Sequence, residues 1–370
     1  MTRSLPRALR SARLRVLATM VARIGDIATC RAAVDHAVGI VDDSQEAPDD
    51  VVATVLELAW TAAGQDAVPP QVPVDDSDEV LVLLAACCHS SLPAAARIAL
   101  MLTVAGGLPT AEVARAFSVP DATMEQRLAW SQNRIRGLLD QPITPELVAA
   151  RLGSVLDVLV LIFDDGIVHP RCHVDLPYEA AEMTRVVVEL FAAEQEPRAL
   201  MAIMLLTRAR RDARQAEDGS LIPLSAQDRS LWHQDEIAEG LFLLRGSRRD
   251  NRFGPFQVRA SIQAAHVTSA RAEDTDWDRI LALYDQLQAL TPSDAVALGR
   301  AAALAEVRGA EAALETVERL DLDSHLFHAT RADLLGRLGR QEEADRAWTA
   351  AVSRVRGASE HARLRGHLDV

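Results

Sequence analysis

The chain has no lysine: all 39 of its cationic side chains other than histidine are arginines. Aromatic residues are scarce, at 4% of 370 residues. The four cysteines, Cys30, Cys87, Cys88 and Cys172, follow no framework spacing, which excludes a disulfide-stapled fold and suits a reducing cytosol. No apolar run reaches the roughly 18–20 residues that span a bilayer. The arginine-rich start is followed by only a short apolar stretch, Val16 to Ala22, without a small-residue cleavage site, so a secretory signal is not expected. Phosphate loops, nucleophile elbows and dinucleotide fingerprints are also missing, which argues against an enzyme and against a cofactor. No stretch alternates with period two for long enough to make a sheet.

What remains is a helical composition. Hydrophobic residues make up 49% and charged residues 25%, which excludes wholesale disorder. The length fits two or three domains. Alanine, leucine, valine and arginine recur throughout and favour helices that pack closely through small side chains. The expected fold class is all-α. The net charge of −14 argues against a nucleic-acid binder that is basic overall, so any DNA-binding surface has to be a local module.

Leu14, Leu17, Val21, Ile24 and Ile27 recur at helical spacing and predict a helix over 7–40. A second runs from Asp50 to Ala63, stopped near Gly64. Val68-Pro69-Pro70-Gln71-Val72-Pro73 breaks regular structure within a linker at about 64–76. From Glu79 to Leu139 the pattern is helix, helix, short helix, turn, helix. Long helical segments follow the break at Gln141–Pro145. Four stretches are expected: a helical domain over 1–66, a linker over 67–78, a helix-turn-helix domain over 79–140 and a helical extension over 145–370.

The helix-turn-helix is the most informative segment. Thr110 is read as the cap of a short helix with Val113, Ala114 and Phe117 on one face. Ser118-Val119-Pro120 makes the turn, and Asp121 caps a helix that buries Met124, Leu128, Ile135 and Leu138. In such a motif the first helix braces and the second offers its N-terminal turns to the major groove. The candidate DNA-binding residues are Arg115, Thr123, Gln126, Arg127, Arg134 and Arg136.

This segment resembles region four of the extracytoplasmic-function sigma factors of RNA polymerase. Further stretches are similar to the group of that family with a long helical C-terminal extension. They are Glu79–His89, Ala94–Leu102, Arg151–Phe163, Leu205–Arg211, Gln227-Asp228-Arg229-Ser230 with Trp232, Asp274–Trp277 and His328–Leu335. Over about 276–356, Trp277, Leu281 and Tyr284, and later Gly336, Ala344, Ala347 and Trp348, resemble tetratricopeptide hairpins, in which small residues let two helices cross closely. The resemblance implies core RNA polymerase and promoter −35 DNA as partners, a protein or peptide partner for the tail, a cytoplasmic location and no membrane.

Residues 1–66 stand where the family's region two melts the promoter, a task that needs exposed aromatics and cations along the single strand. Between Arg31 and Arg97 there is no arginine, the only ring besides histidine is Trp60, and twelve carboxylates occur. This is a degenerate region two. Glu125, Trp130, Gln132 and Asn133 replace residues that are commonly basic in the family, which weakens the DNA contact. Two readings follow: a divergent sigma factor acting through polymerase and the −35 element, or a sigma-like protein that has lost promoter melting and acts as a protein-binding regulator or scaffold.

Three other clusters have simpler readings. Cys87-Cys88-His89, with His169, Cys172 and His173, lacks paired zinc spacing, and the cysteines lie on an apolar helix face. Asp164-Asp165-Gly166 is read as a helix end capped by glycine rather than a catalytic pair. The run Arg208–Arg214, the densest basic cluster, is read as a solvated helix face, with a polymerase or DNA contact as the alternative.

Overall fold

In the computed structural model the described residues, 6–44, 48, 50–65, 68–71, 77–139, 145–168, 174–216, 222–246 and 253–354, form seventeen α-helices and no strand. The fold is all-α. Two units, Met1–Ala192 and Ala193–Val370, each hold together through their own contacts.

The first unit contains α1 (Arg7–Ile24), α2 (Ile27–Asp43), α3 (Val51–Ala62), α4 (Ser77–Cys87), α5 (Ala94–Val104), α6 (Thr110–Ala116), α7 (Asp121–Ile135), α8 (Pro145–Val168) and α9 (Leu176–Leu190). The single helix expected over 7–40 is two. Gly25 takes a left-handed conformation (φ +78°) that ends α1, and the Asp26 carboxylate accepts from the Thr29 N–H and starts α2. Asp50 caps α3 in the same way. The Asp164–Gly166 segment also differs from its expected form. α8 continues through it to Val168, and Gly166 is the point where Leu176 and Pro177 press against the helix. The glycine serves close packing and not a cap.

α1 is buried along most of its length, through Leu14, Val16, Leu17 and Met20, because it packs against α2, α3, α4 and α9. Two of its arginines are buried as well. Arg10 pairs with Glu179 on α9 at 2.6 Å. Arg13, 1% exposed, donates from Nε to Asp35 on α2 at 2.8 Å, from Nη1 to the Val104 carbonyl at 2.6 Å and from Nη2 to the Thr103 carbonyl at 3.1 Å. The last carbonyls of a helix have no partner within it. Arg13 satisfies two of those at the end of α5.

The second unit contains α10 (Glu196–Arg208), α11 (Gln234–Gly246), α12 (Pro255–Thr268), α13 (Trp277–Leu290), α14 (Asp294–Arg308), α15 (Ala310–Val317), α16 (His325–Arg337) and α17 (Gln341–Arg354). From α12 onward each helix packs on the next. Alanines fill much of the core: Ala301, Ala305, Ala313, Ala332, Ala344 and Ala347 are all buried. Gly299 lies against the Tyr284 ring, where an added Cβ would sit 2.7 Å from Cε1.

Three sequence stretches of this unit come together around α10 and α12. Arg229 donates to the His266 and Ser269 carbonyls at the end of α12 and stacks 4.5 Å from the Trp232 ring. Arg210, buried, reaches the Leu206 carbonyl and Gln263. His266 meets Trp277 edge-on at 5.3 Å. The Arg208–Arg214 run is therefore not a solvated face. Arg208 and Arg211 both pair with Glu236 on α11, at 3.3 and 2.8 Å, and Arg210 is internal. At the start of α12 the Glu196 carboxylate accepts the N–H groups of Phe256 and Gln257, and Gly254 leaves it room.

Two stability predictions follow. Replacing Arg13 with Met leaves two buried carbonyls without their donor and a half-exposed Asp35 without its cation, and should cost about 2–4 kcal/mol in urea denaturation. Burial first, and then Arg210 and Arg229, push the His266 pKa from 6.5 down to about 4. The unfolded chain then binds a proton that the folded chain refuses between those values. Stability present at neutral pH should fall as pH drops from about 6.5 towards 4, by on the order of 2 kcal/mol after allowing for partial solvent exposure. Thermal melts of the full chain and of His266→Gln across that window check it, since the variant should lose this part of the slope.

Candidate nucleic-acid interface

α6 and α7 are set by a tight turn. Ser118 adopts φ +53°, its N–H donates to the Arg115 carbonyl at 3.0 Å, and the Val119 N–H donates to the Ala114 carbonyl at 3.0 Å. Ala114 is fully buried, and a larger side chain there would push the two helices apart. The caps differ from those expected. Pro109 and Pro120 precede the two helices, and neither Thr110 nor Asp121 caps with its side chain; both stand at the first helical position. Met124, Leu128, Ser131 and Ile135 form the inward face of α7, and Leu138 is only partly buried.

The outward face starts with Ala122 and Thr123 and continues through Glu125, Gln126, Trp130, Asn133 and Arg134, all exposed. Of the six candidate residues, Thr123, Gln126 and Arg134 therefore share a solvent-facing strip on α7. Arg127 is half-buried, its guanidinium 5.7 Å from the Phe117 ring centre. Arg115 lies exposed on α6, 3.9 Å from Glu112. Arg136 follows α7, donates to Asn133 at 3.1 Å and lies 3.9 Å from Asp26 of α2. The strip and the flanking arginines are near one another without forming a single cationic face. Trp130, 53% exposed and one turn from both Gln126 and Arg134, was not among the candidates. An apolar ring on the polar side of an amphipathic helix was the signal that marks it.

The N-terminal helices touch this module. α2 packs on α7, and Arg31 reaches the Thr110 hydroxyl at 3.5 Å. Arg115, Arg127, Arg134 and Arg136 share the module with Glu112, Asp121 and Glu125, four cations against three anions. The basic excess is small.

Residues 83–129 match the family Sigma-70, region 4, and residues 151–248 match a family of unknown function, DUF6596. The chain is 38% identical over 301 residues to the uncharacterized protein R00370 of Rhizobium meliloti (strain 1021), an overlap of 79% of this chain and 71% of that protein. It belongs to the same family as that protein. No solved structure matches the chain. The turn and both helices described above fall within or beside the region-four match, so the helix-turn-helix is that of a sigma-70 region four.

Burial pushes the Cys87 thiol up to about 12 and Cys88 well above its usual value, so both are protonated at neutral pH. Among the described residues no three His, Cys, Asp or Glu side chains are grouped to hold a metal ion. His169, Cys172 and His173 lie outside the described residues. Among the described residues no helix is long and apolar enough to cross a membrane.

Proposed function

We propose that the protein is a divergent extracytoplasmic-function type sigma factor that binds core RNA polymerase in the cytoplasm and contacts promoter −35 DNA through α7. The observation that carries this is the region-four helix-turn-helix with the N-terminal turns of α7 exposed and its opposite face in the core. In this reading Thr123 and Gln126 reach base edges, while Arg115, Arg127, Arg134 and Arg136 meet phosphates. The tail from α13 to α17 is a TPR-like stack, and its alanine-rich core supports a role in holding a protein or peptide partner.

A second reading has its own support. Trp60 is buried and so presents no ring to a flipped base. Arg10 and Arg13 are engaged inside the unit and offer no charge to a single strand. These features fit a degenerate region two, and with it a sigma-like protein that binds polymerase or other proteins without melting promoters.

Purified full chain with core polymerase should yield promoter-specific transcripts from genomic templates. Stable polymerase binding with no transcript from any template would overturn the first reading in favour of the second. In gel shifts at fixed salt, Arg127→Ala and Arg134→Ala should each weaken binding across all sequences and lower the salt dependence by about one unit. Specific binding that survives both changes would place the DNA contact elsewhere.

A further inference from the structure

The first unit holds a half-open cavity of about 460 Å³ that the DNA reading does not use. It lies where α4 ends and α5 begins, with α8 along one side and Leu138, just beyond α7, closing another. That volume is in the range of small-molecule sites. Arg97 from the first turn of α5 and Arg151 from α8 both line it. The Nε of Arg97 is buried and has no hydrogen-bond partner, and among the described residues neither guanidinium meets a carboxylate. Arg7, Arg10, Arg13 and Arg23 of the same unit all do. Asp157 is the one acid on the lining, and it has an interaction of its own.

Both arginines are only partly buried, and carboxylate or phosphate oxygens match the fork that a guanidinium presents. Ser90 and Ser154 add hydroxyl groups on the lining, while Val82, Ala86 and Ala150 offer apolar surface. We propose that this cavity binds a small organic oxyanion, a carboxylate or phosphate on an apolar body, held by Arg97 and Arg151. The lining draws on both matched segments: Ala86, Cys88 and Arg97 belong to the region-four match, and Arg151, Ser154 and Asp157 to the other. An occupant therefore bridges the helix-turn-helix module to the extension that follows it, and is recognised whether or not α7 binds DNA.

Calorimetric titration of the full chain with benzoate, phenyl phosphate and inorganic phosphate tests this, with thermal melts as a second readout. Benzoate or phenyl phosphate should bind with one-to-one stoichiometry and raise the melting temperature, and which of the two does so identifies the anionic group. Inorganic phosphate should bind more weakly. Arg97→Gln and Arg151→Gln should each weaken binding at least about tenfold. Ser154→Trp, which fills the cavity from an exposed helix position and removes no charge, should abolish it and stands in should either arginine variant fail to fold. The proposal is overturned if neither organic anion binds, if inorganic phosphate binds as well as they do, or if binding persists in the folded variants.

Discussion

The buried guanidinium of Arg13 ties the N-terminal helices to the DNA-binding module. One side chain from α1 meets a carboxylate on α2 and the two terminal carbonyls of α5, and α5 leads directly into the helix-turn-helix. Gly107 is required on the same account: its φ is +72°, and a Cβ there would lie 2.9 Å from the Arg13 Nε. The turn into α6 can close only where the chain accepts a left-handed conformation and leaves space for the guanidinium. α1, through Arg13, and α2 thus brace α5 and α7 from within the same unit. Removing one partner of such a buried charge costs far more than the pair contributes, so the contact acts more as a constraint on arrangement than as a source of stability.

A basic set made entirely of arginine fits this use. The guanidinium presents five donors in a rigid plane and cannot lose its proton, so it can serve several acceptors inside a protein where an ammonium serves fewer. Arg13, Arg210 and Arg229 are each engaged with backbone carbonyls at helix ends, and Arg208 and Arg211 converge on Glu236. Much of the positive charge is therefore committed to internal structure. In a chain of net charge −14 this leaves α6 and α7 with a narrow cationic margin.

Helical periodicity made the all-α class and the elements from α3 to α7 legible in advance, because most of these helices have an apolar face and a stop that can be read locally. α3 with its Asp50 cap, the order α4 to α7 and the inward set Met124, Leu128 and Ile135 all stand where spacing placed them. Part of what escaped was local: a left-handed Gly25 ends the first helix and Asp26 caps the second. The rest was decided by tertiary contact; Gly166 looks like a cap until Pro177 is packed against it. The Arg208–Arg214 run is indistinguishable from a solvated face until Glu236 arrives from another helix. On the outward face of α7, pattern identifies exposed positions, and Thr123, Gln126 and Arg134 are exposed. It does not reveal that Arg127 leans on Phe117 or that Arg136 lies close to Asp26, since both depend on neighbours outside the helix.

The small charge margin of α6, α7 and the turn that follows them bears directly on how a sigma-like protein of this form can work. Free binding to DNA draws much of its affinity from phosphate neutralisation, and four cations set among three anions supply little of it. A protein already held on polymerase faces a different requirement, because the enzyme holds the promoter nearby and turns the second contact into an intramolecular one. A weak reading head then suffices, provided its exposed strip distinguishes sequences. On the proposed reading Thr123 and Gln126 address base edges, and the exposed ring of Trp130 lies one turn from Gln126. On the proposed reading, polymerase supplies the affinity and α7 the selection, so the acidity of the rest of the chain is no obstacle to a role at promoters.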